Sequence, residues 1–133
     1  MFGNKGDSKP QGRIDSLIGS GTVVEGNVRF SGGLRIDGEV KGSVTAVEGA
    51  TSATLVLSEQ ARIEGAVEVA HFVVNGTVVG PVTVSESLEM QSRAKIVGDV
   101  VYALIEMHQG AVIEGRLVHE SGKSVELKLA ASN

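Results

Sequence analysis

Few residues of this chain could do chemistry. His71, His108 and His119 carry the side chains that titrate nearest neutral pH, and three imidazoles also make a complete protein ligand set for a catalytic zinc ion. Three carboxylates, Asp37, Glu64 and Glu114, each stand directly before a glycine in one recurring local pattern. Threonines recur at Thr22, Thr45, Thr51, Thr54, Thr77 and Thr83. There is no cysteine, so neither a thiolate site nor a disulfide framework is available. Whether any of these groups converge depends on the elements that carry them.

Those elements are set by a short motif, aliphatic-x-Gly-x-aliphatic. It appears at Val24–Val28, Ile36–Val40, Ile63–Val67, Val74–Val78, Ile96–Val100 and Ile113–Leu117, with a shorter Gly-x-Val form at Gly42–Val44 and Gly80–Val82. Side chains alternate along a strand, so the aliphatics define a dry face and the polar residues between them a wet one. A glycine on the dry face would leave a hole unless the chain bends there. Each motif therefore reads as strand, corner and new strand. The glycines are spaced 16 (Gly26 to Gly42), 15 (Gly65 to Gly80), 18 (Gly80 to Gly98) and 17 (Gly98 to Gly115) residues, with one long interval of 23 from Gly42 to Gly65. Leu55–Ile63, Leu88–Ile96 and Leu104–Ile113 repeat a second theme of alternating run, polar turn and small residue. A period near 17 is too short for a helical repeat and fits one coil of a three-sided, single-stranded parallel β-helix. Residues 14–118 hold about six coils. A β-sandwich is the competing all-β reading, but it does not require one glycine period and usually buries more aromatics than the 3% present here.

On such a coil the chemistry disperses. His71 and His108 lie 37 residues apart, about two coils, but His119 follows His108 by only 11, which does not return it to the same corner. The expectation is three exposed, non-ligand histidines with no carboxylate orienting a ring, whereas metal-bound histidines usually have such a partner. β-Helical carbonic anhydrases, with three histidines from neighbouring coils, are thus a poor match. So are hexapeptide acyltransferases, whose six-residue register is absent. A trimeric enzyme of either type stands as the alternative function. Solvation accounts for Asp37, Glu64 and Glu114, and the threonines form no Thr-x-Thr ladder of the ice-binding kind. No catalytic, cofactor-binding or metal residue is assigned.

Composition narrows the remaining classes. The chain has 133 residues, is 41% hydrophobic and carries a net charge of −4, with signs interspersed. No basic stripe or aromatic platform suggests nucleic-acid binding. No apolar run approaches the ~20 residues of a membrane span, and Met1–Lys9 lacks the apolar core of a secretory signal. Residues 1–13 read as a flexible arm too polar to fold. Its tip, Met1-Phe2, is apolar and is followed by Lys5 and Lys9. Burying each apolar side chain is worth at most ~1.5–3 kcal/mol, and each basic residue ~1 kcal/mol near an anionic surface. One arm would bind a membrane reversibly, and many arms on one polymer would bind it stably.

Thr45–Thr54, rich in small residues, reads as a loop that explains the long interval. Tyr102 is expected beside a turn, packing on the core. Residues 119–133 form a polar tail in which Val125–Leu129 alternates as a candidate final strand. Neither end of the β-helix shows an amphipathic cap, although open sheet edges template pairing with another chain and solenoids generally need polar capping repeats. End-to-end stacking follows, with Leu17, Ile18 and Val23 at one end and Ile113 and Leu117 at the other completing a continuous core.

The apolar-tipped arm, Leu34–Val44, Gly110–Gly115 and the polar tail together resemble the bactofilins, a bacterial polymer-forming cytoskeletal family. The resemblance covers about residues 14–118. It implies a right-handed triangular β-helix, non-polar filaments assembled without nucleotide, and attachment through the arm to the cytoplasmic face of the inner membrane. It further implies a non-enzymatic scaffold for cell shape, whose partners are other bactofilins and peptidoglycan-modifying enzymes.

Overall fold

The computed structural model describes residues 14–47 and 52–120. The chain winds through six coils, each with three short strands. The first coil holds β1 (Ser16–Ile18), β2 (Val23–Glu25) and β3 (Val28–Phe30), and the second β4 (Gly33–Ile36), β5 (Glu39–Lys41) and β6 (Val44–Ala46). The third opens with β7 (Thr54–Leu57) and β8 (Arg62–Glu64). From there, β9 (Val67–Val74), β11 (Val82–Met90) and β13 (Val100–Met107) each end one coil and begin the next, while β10 (Thr77–Val79), β12 (Lys95–Val97) and β14 (Val112–Glu114) supply the middle strands. β15 (Leu117–His119) closes the sixth coil. Every strand pairing is parallel, and no strand pairs within its own coil. This is the expected β-solenoid of about six turns.

The registers resolve three faces. The first carries β1, β4, β7 and the second halves of β9, β11 and β13. The second is the six-stranded sheet β14-β12-β10-β8-β5-β2. The third carries β3, β6, the first halves of β9, β11 and β13, and β15. Identical parity on every rung stacks like on like at ~4.8 Å intervals. Inside the second face, Val24, Val40, Ile63, Val78, Ile96 and Ile113 form one column. Ile36, Leu57, Val74 and Met90 form another on the first face, and Val44, Val67, Val82 and Val100 another on the third. The inner members of these columns are fully buried, so β-branched and leucine side chains fill most of the rod, with Phe30 and Phe72 as the buried aromatics.

Corners explain the glycines, and they separate into two columns that the single motif had merged. Gly26, Gly42, Gly65, Gly80, Gly98 and Gly115 turn the chain from the second face to the third with φ between 137° and 159°, a region that L side chains rarely adopt. Above Gly26 they also stack: a Cβ on any of the other five would lie 2.1–2.4 Å from the carbonyl oxygen of the glycine one coil below. Gly38 and Gly76 belong to the corner between the first and second faces. There the two-residue corners Asp37-Gly38 and Asn75-Gly76 intercalate among the longer turns Gly19–Thr22, Ser58–Ala61, Gln91–Ala94 and His108–Ala111. This mixture of corner lengths contributes two residues to the spread in coil length, and the third corner supplies the rest.

At the third corner β9 and β13 pass on single residues, Ala70 and Ala103, and β11 passes through a bulge at Ser85-Glu86. The insertion is narrower than expected: Thr45 and Ala46 lie in β6 and Thr54 in β7, leaving Val47–Ala53, of which residues 48–51 lie outside the described residues. The sixth coil also runs one residue further than expected, taking in His119. The arm 1–13 and the Val125–Leu129 segment lie outside the described residues.

Candidate functional site

The open ends of the rod are its most unusual surfaces. Among the described residues β1 pairs only with β4, β2 only with β5 and β3 only with β6, while at the other end β14 pairs only with β12 and β15 only with β13. Among the described residues each end therefore presents one row of backbone groups outside any strand pairing, around apolar side chains. Ile18, Val24 and Val28 terminate inward columns at the first coil and remain only partly buried. At the sixth coil Ile105 and Ile113 are partly buried, Met107 is 44% exposed and Leu117 is 47% exposed. Met90 and Val100, the neighbours of Met107 and Leu117 one coil inside, are fully buried.

The five residues expected at the ends divide. Ile18, Ile113 and Leu117 point inward and finish core columns. Leu17 and Val23 do not: the register pairs Leu17 with Arg35 and Val23 with Glu39, both outward positions, and they lie 60% and 50% exposed on the sides of the first coil. Their apolar neighbours Ile18 and Val24 take the inward places. The end residues missed in the sequence, Val24, Val28, Ile105 and Met107, are found by aligning each coil on the next rather than by hydrophobicity alone. Met1, Phe2, Lys5 and Lys9 lie outside the described residues.

The histidines stay on three separate columns. His71 begins the first-face half of β9 and is half-buried rather than exposed as expected, with Nδ1 2.8 Å from Ser87 Oγ. His119 stands in the third-face column above Tyr102, its ring centroid 5.4 Å from that of the tyrosine and its Nε2 3.0 Å from the Ala103 carbonyl. Tyr102 is partly buried against the core. His108 corrects one expectation: Nε2 is 3.2 Å from Glu106 and 3.6 Å from Glu89, so one ring does have carboxylate partners. Among the described residues no three His, Cys, Asp or Glu side chains are grouped to hold a metal ion.

The carboxylates beside glycine are held in surface ion pairs. Glu64 accepts from Arg62 Nε at 2.8 Å, which lowers its pKa. Glu114 lies 3.8 Å from Lys95. Asp37 accepts from the Ser58 hydroxyl one coil on and from Arg35 Nε at 2.9 Å. The serine hydrogen bond and then the guanidinium hold its carboxyl below the usual carboxylate range. The two arginine pairs each lie within one coil, whereas the Ser58–Asp37 and Lys95–Glu114 contacts tie coil to coil. Side-chain amides and carboxylates do the same at the turns: Asn27 Oδ1 accepts from the backbone of Ser43, Asn75 from Arg93 and Asp99 from Arg116.

A six-coil parallel solenoid whose stacked apolar columns end, among the described residues, in partly buried side chains belongs to the structural class of β-solenoid proteins. The comparisons sharpen that class. The family model described as "Bactofilin: Polymer-forming cytoskeletal" matches residues 16–118, and the chain belongs to this family. Two Myxococcus xanthus relatives, Bactofilin BacP and Bactofilin BacO, are each 26% identical over 103 residues, 77% of this chain. The aligned segment spans 41% of BacP and 78% of BacO. No solved structure matches.

Proposed function

We propose that this chain is a non-enzymatic scaffold whose rods stack end to end into filaments without nucleotide or metal. The observation that carries this reading is the set of inward-facing side chains left half-open at the last rung, above all Met107 and Leu117. Covering such groups is worth at most ~1.5–3 kcal/mol per fully buried side chain, and an added rung would also pair the free backbone edges, which otherwise invite association. The polymer-forming family supports the same conclusion. On this reading the filament lies at the cytoplasmic face of the inner membrane, held by Met1-Phe2 with Lys5 and Lys9, and its arms act together because a polymer presents many copies. Its partners are further copies, related bactofilins and peptidoglycan-modifying enzymes placed to shape the cell. Electron microscopy of the purified chain without added nucleotide tests the assembly, and liposome co-sedimentation tests the arm.

A further inference from the structure

The outward column of the first face reads, coil by coil, Leu17, Arg35, Val56, Val73, Glu89 and Glu106. We infer that this face pairs with the same face of a second copy, the two rods lying antiparallel about a two-fold axis between the third and fourth coils. That axis exchanges first with sixth, second with fifth and third with fourth coils. Val56 then meets Val73 of the partner at the centre, and Arg35 meets Glu89 on both sides, as an isologous contact requires. The residues are available: the Arg35 side chain is 50% exposed and the Glu89 side chain 37%, and both valines are only partly buried.

Shape agrees with charge. An open groove of about 510 Å³ lies here, lined by Ser20, Arg35, Val56, Gln60, Val73 and Gln91 among others. It runs beside the corner where long and short turns alternate. The same axis sets the long turns Ser58–Ala61 and Gln91–Ala94 opposite the short corners Asn75-Gly76 and Asp37-Gly38, so protrusions face notches on the four inner coils, while the long turns Gly19–Thr22 and His108–Ala111 face each other at the outermost ones. Within one chain Arg35 is bonded to Asp37, while Glu89 accepts from Gln91 and faces His108. These are surface contacts that leave room for a second partner.

The other faces lack this symmetry. On the second face the same operation pairs Glu39 with Lys95 but sets Glu25 against Glu114, and on the third it leaves Arg29 opposite Val118; on the first face only the outermost pair, Leu17 with Glu106, is unmatched. A face only six rungs long at ~4.8 Å spacing is small beside the roughly 1,200 Å² total of a stable interface, so free rods are expected to pair weakly, with the contact registering neighbouring rods side by side.

The test uses the full chain carrying Val24→Arg and Leu117→Arg, one charge at each end to suppress both end contacts, studied by sedimentation velocity up to high concentration. Concentration-dependent dimers are expected, abolished by Arg35→Glu or Glu89→Arg alone. The double variant Arg35→Glu/Glu89→Arg, which reverses both partners, restores them, as does mixing the two single variants. Rods that stay monomeric throughout, or dimers indifferent to both single substitutions while circular dichroism stays native, overturn the inference. Because end contacts are suppressed, that outcome is independent of whether the unmodified chain forms filaments.

Discussion

Alanine at Gly65 should cost far more stability than alanine at Gly26, although both glycines occupy the same corner. The two share positive φ, 157° and 137°, and holding an L residue in such a region costs of order 1–3 kcal/mol. They differ in what lies beneath. A Cβ on Gly65 would sit 2.2 Å from the Gly42 carbonyl oxygen and 2.4 Å from its carbon, whereas a Cβ on Gly26 meets nothing within 4 Å. Backbone cannot rotate away as a side chain can, so relieving the Gly65 contact means parting two rungs by about an ångström, with an overpacking cost of roughly 1–3 kcal/mol in addition. For a domain of this size each 1 kcal/mol lowers the melting temperature by about 4–8 °C. Gly65→Ala should therefore melt on the order of 10 °C below Gly26→Ala. Thermal circular dichroism in the Leu117→Arg background is the assay, because association would otherwise raise the apparent stability by mass action. Equal melting temperatures would refute the stacked-glycine account and leave backbone strain as the whole reason for these residues.

Leu117→Arg should itself abolish filaments while leaving a folded rod. At a half-exposed position the guanidinium reaches water, but inside a stack it becomes a buried charge costing several kcal/mol; undiminished filaments by electron microscopy would count against this end as a contact. Deleting Met1–Lys9 should leave filaments intact and reduce co-sedimentation with anionic liposomes, and equal pelleting would remove the anchor. Ser58→Ala should flatten the acid limb of the stability curve. The depressed pKa of folded Asp37 stabilises the rod above the unfolded carboxyl value near ~3.9, and that stabilisation is lost as pH falls through the lower folded value. Denaturant titrations from pH 6 to pH 2 measure it, and curves that stay parallel would show the serine bond to be idle. Ile63→Ala, at the centre of a fully buried column, should cost about 2–5 kcal/mol, read from the denaturant midpoint.

Much of the fold was legible because the repeat is enforced by backbone contact. The glycine period and the recurrence of Leu55–Ile63 in Leu88–Ile96 and Leu104–Ile113 mark coils without any knowledge of register. What a single strand hides is parity. Leu17-Ile18 and Val23-Val24 are adjacent apolar pairs in strands only three residues long, so alternation within the strand cannot say which member points inward. Only the neighbouring coil decides, since Arg35 and Glu39 are charged and Ile36 and Val40 are not. The merging of two glycine columns has a similar cause. Ile36–Val40 and Ile63–Val67 share a pattern but turn different corners, and their difference lies in which carbonyl they stack upon. The pairing of His108 with Glu89 joins residues 19 apart, one in the turn after β13 and the other on the outward side of β11 one coil below, a contact visible only once the register is known. Which side chains finish the columns at each end was hidden for the same reason, since parity in the first and last coils is set only by the neighbouring coil.

The central claim is that these rods complete one another at their ends. Negative-stain electron microscopy of the purified, unmodified chain, with no nucleotide and no metal added, tests it most directly. The account predicts uniform filaments a few nanometres wide. A field of discrete monomers, dimers or trimers at the same concentration would contradict it.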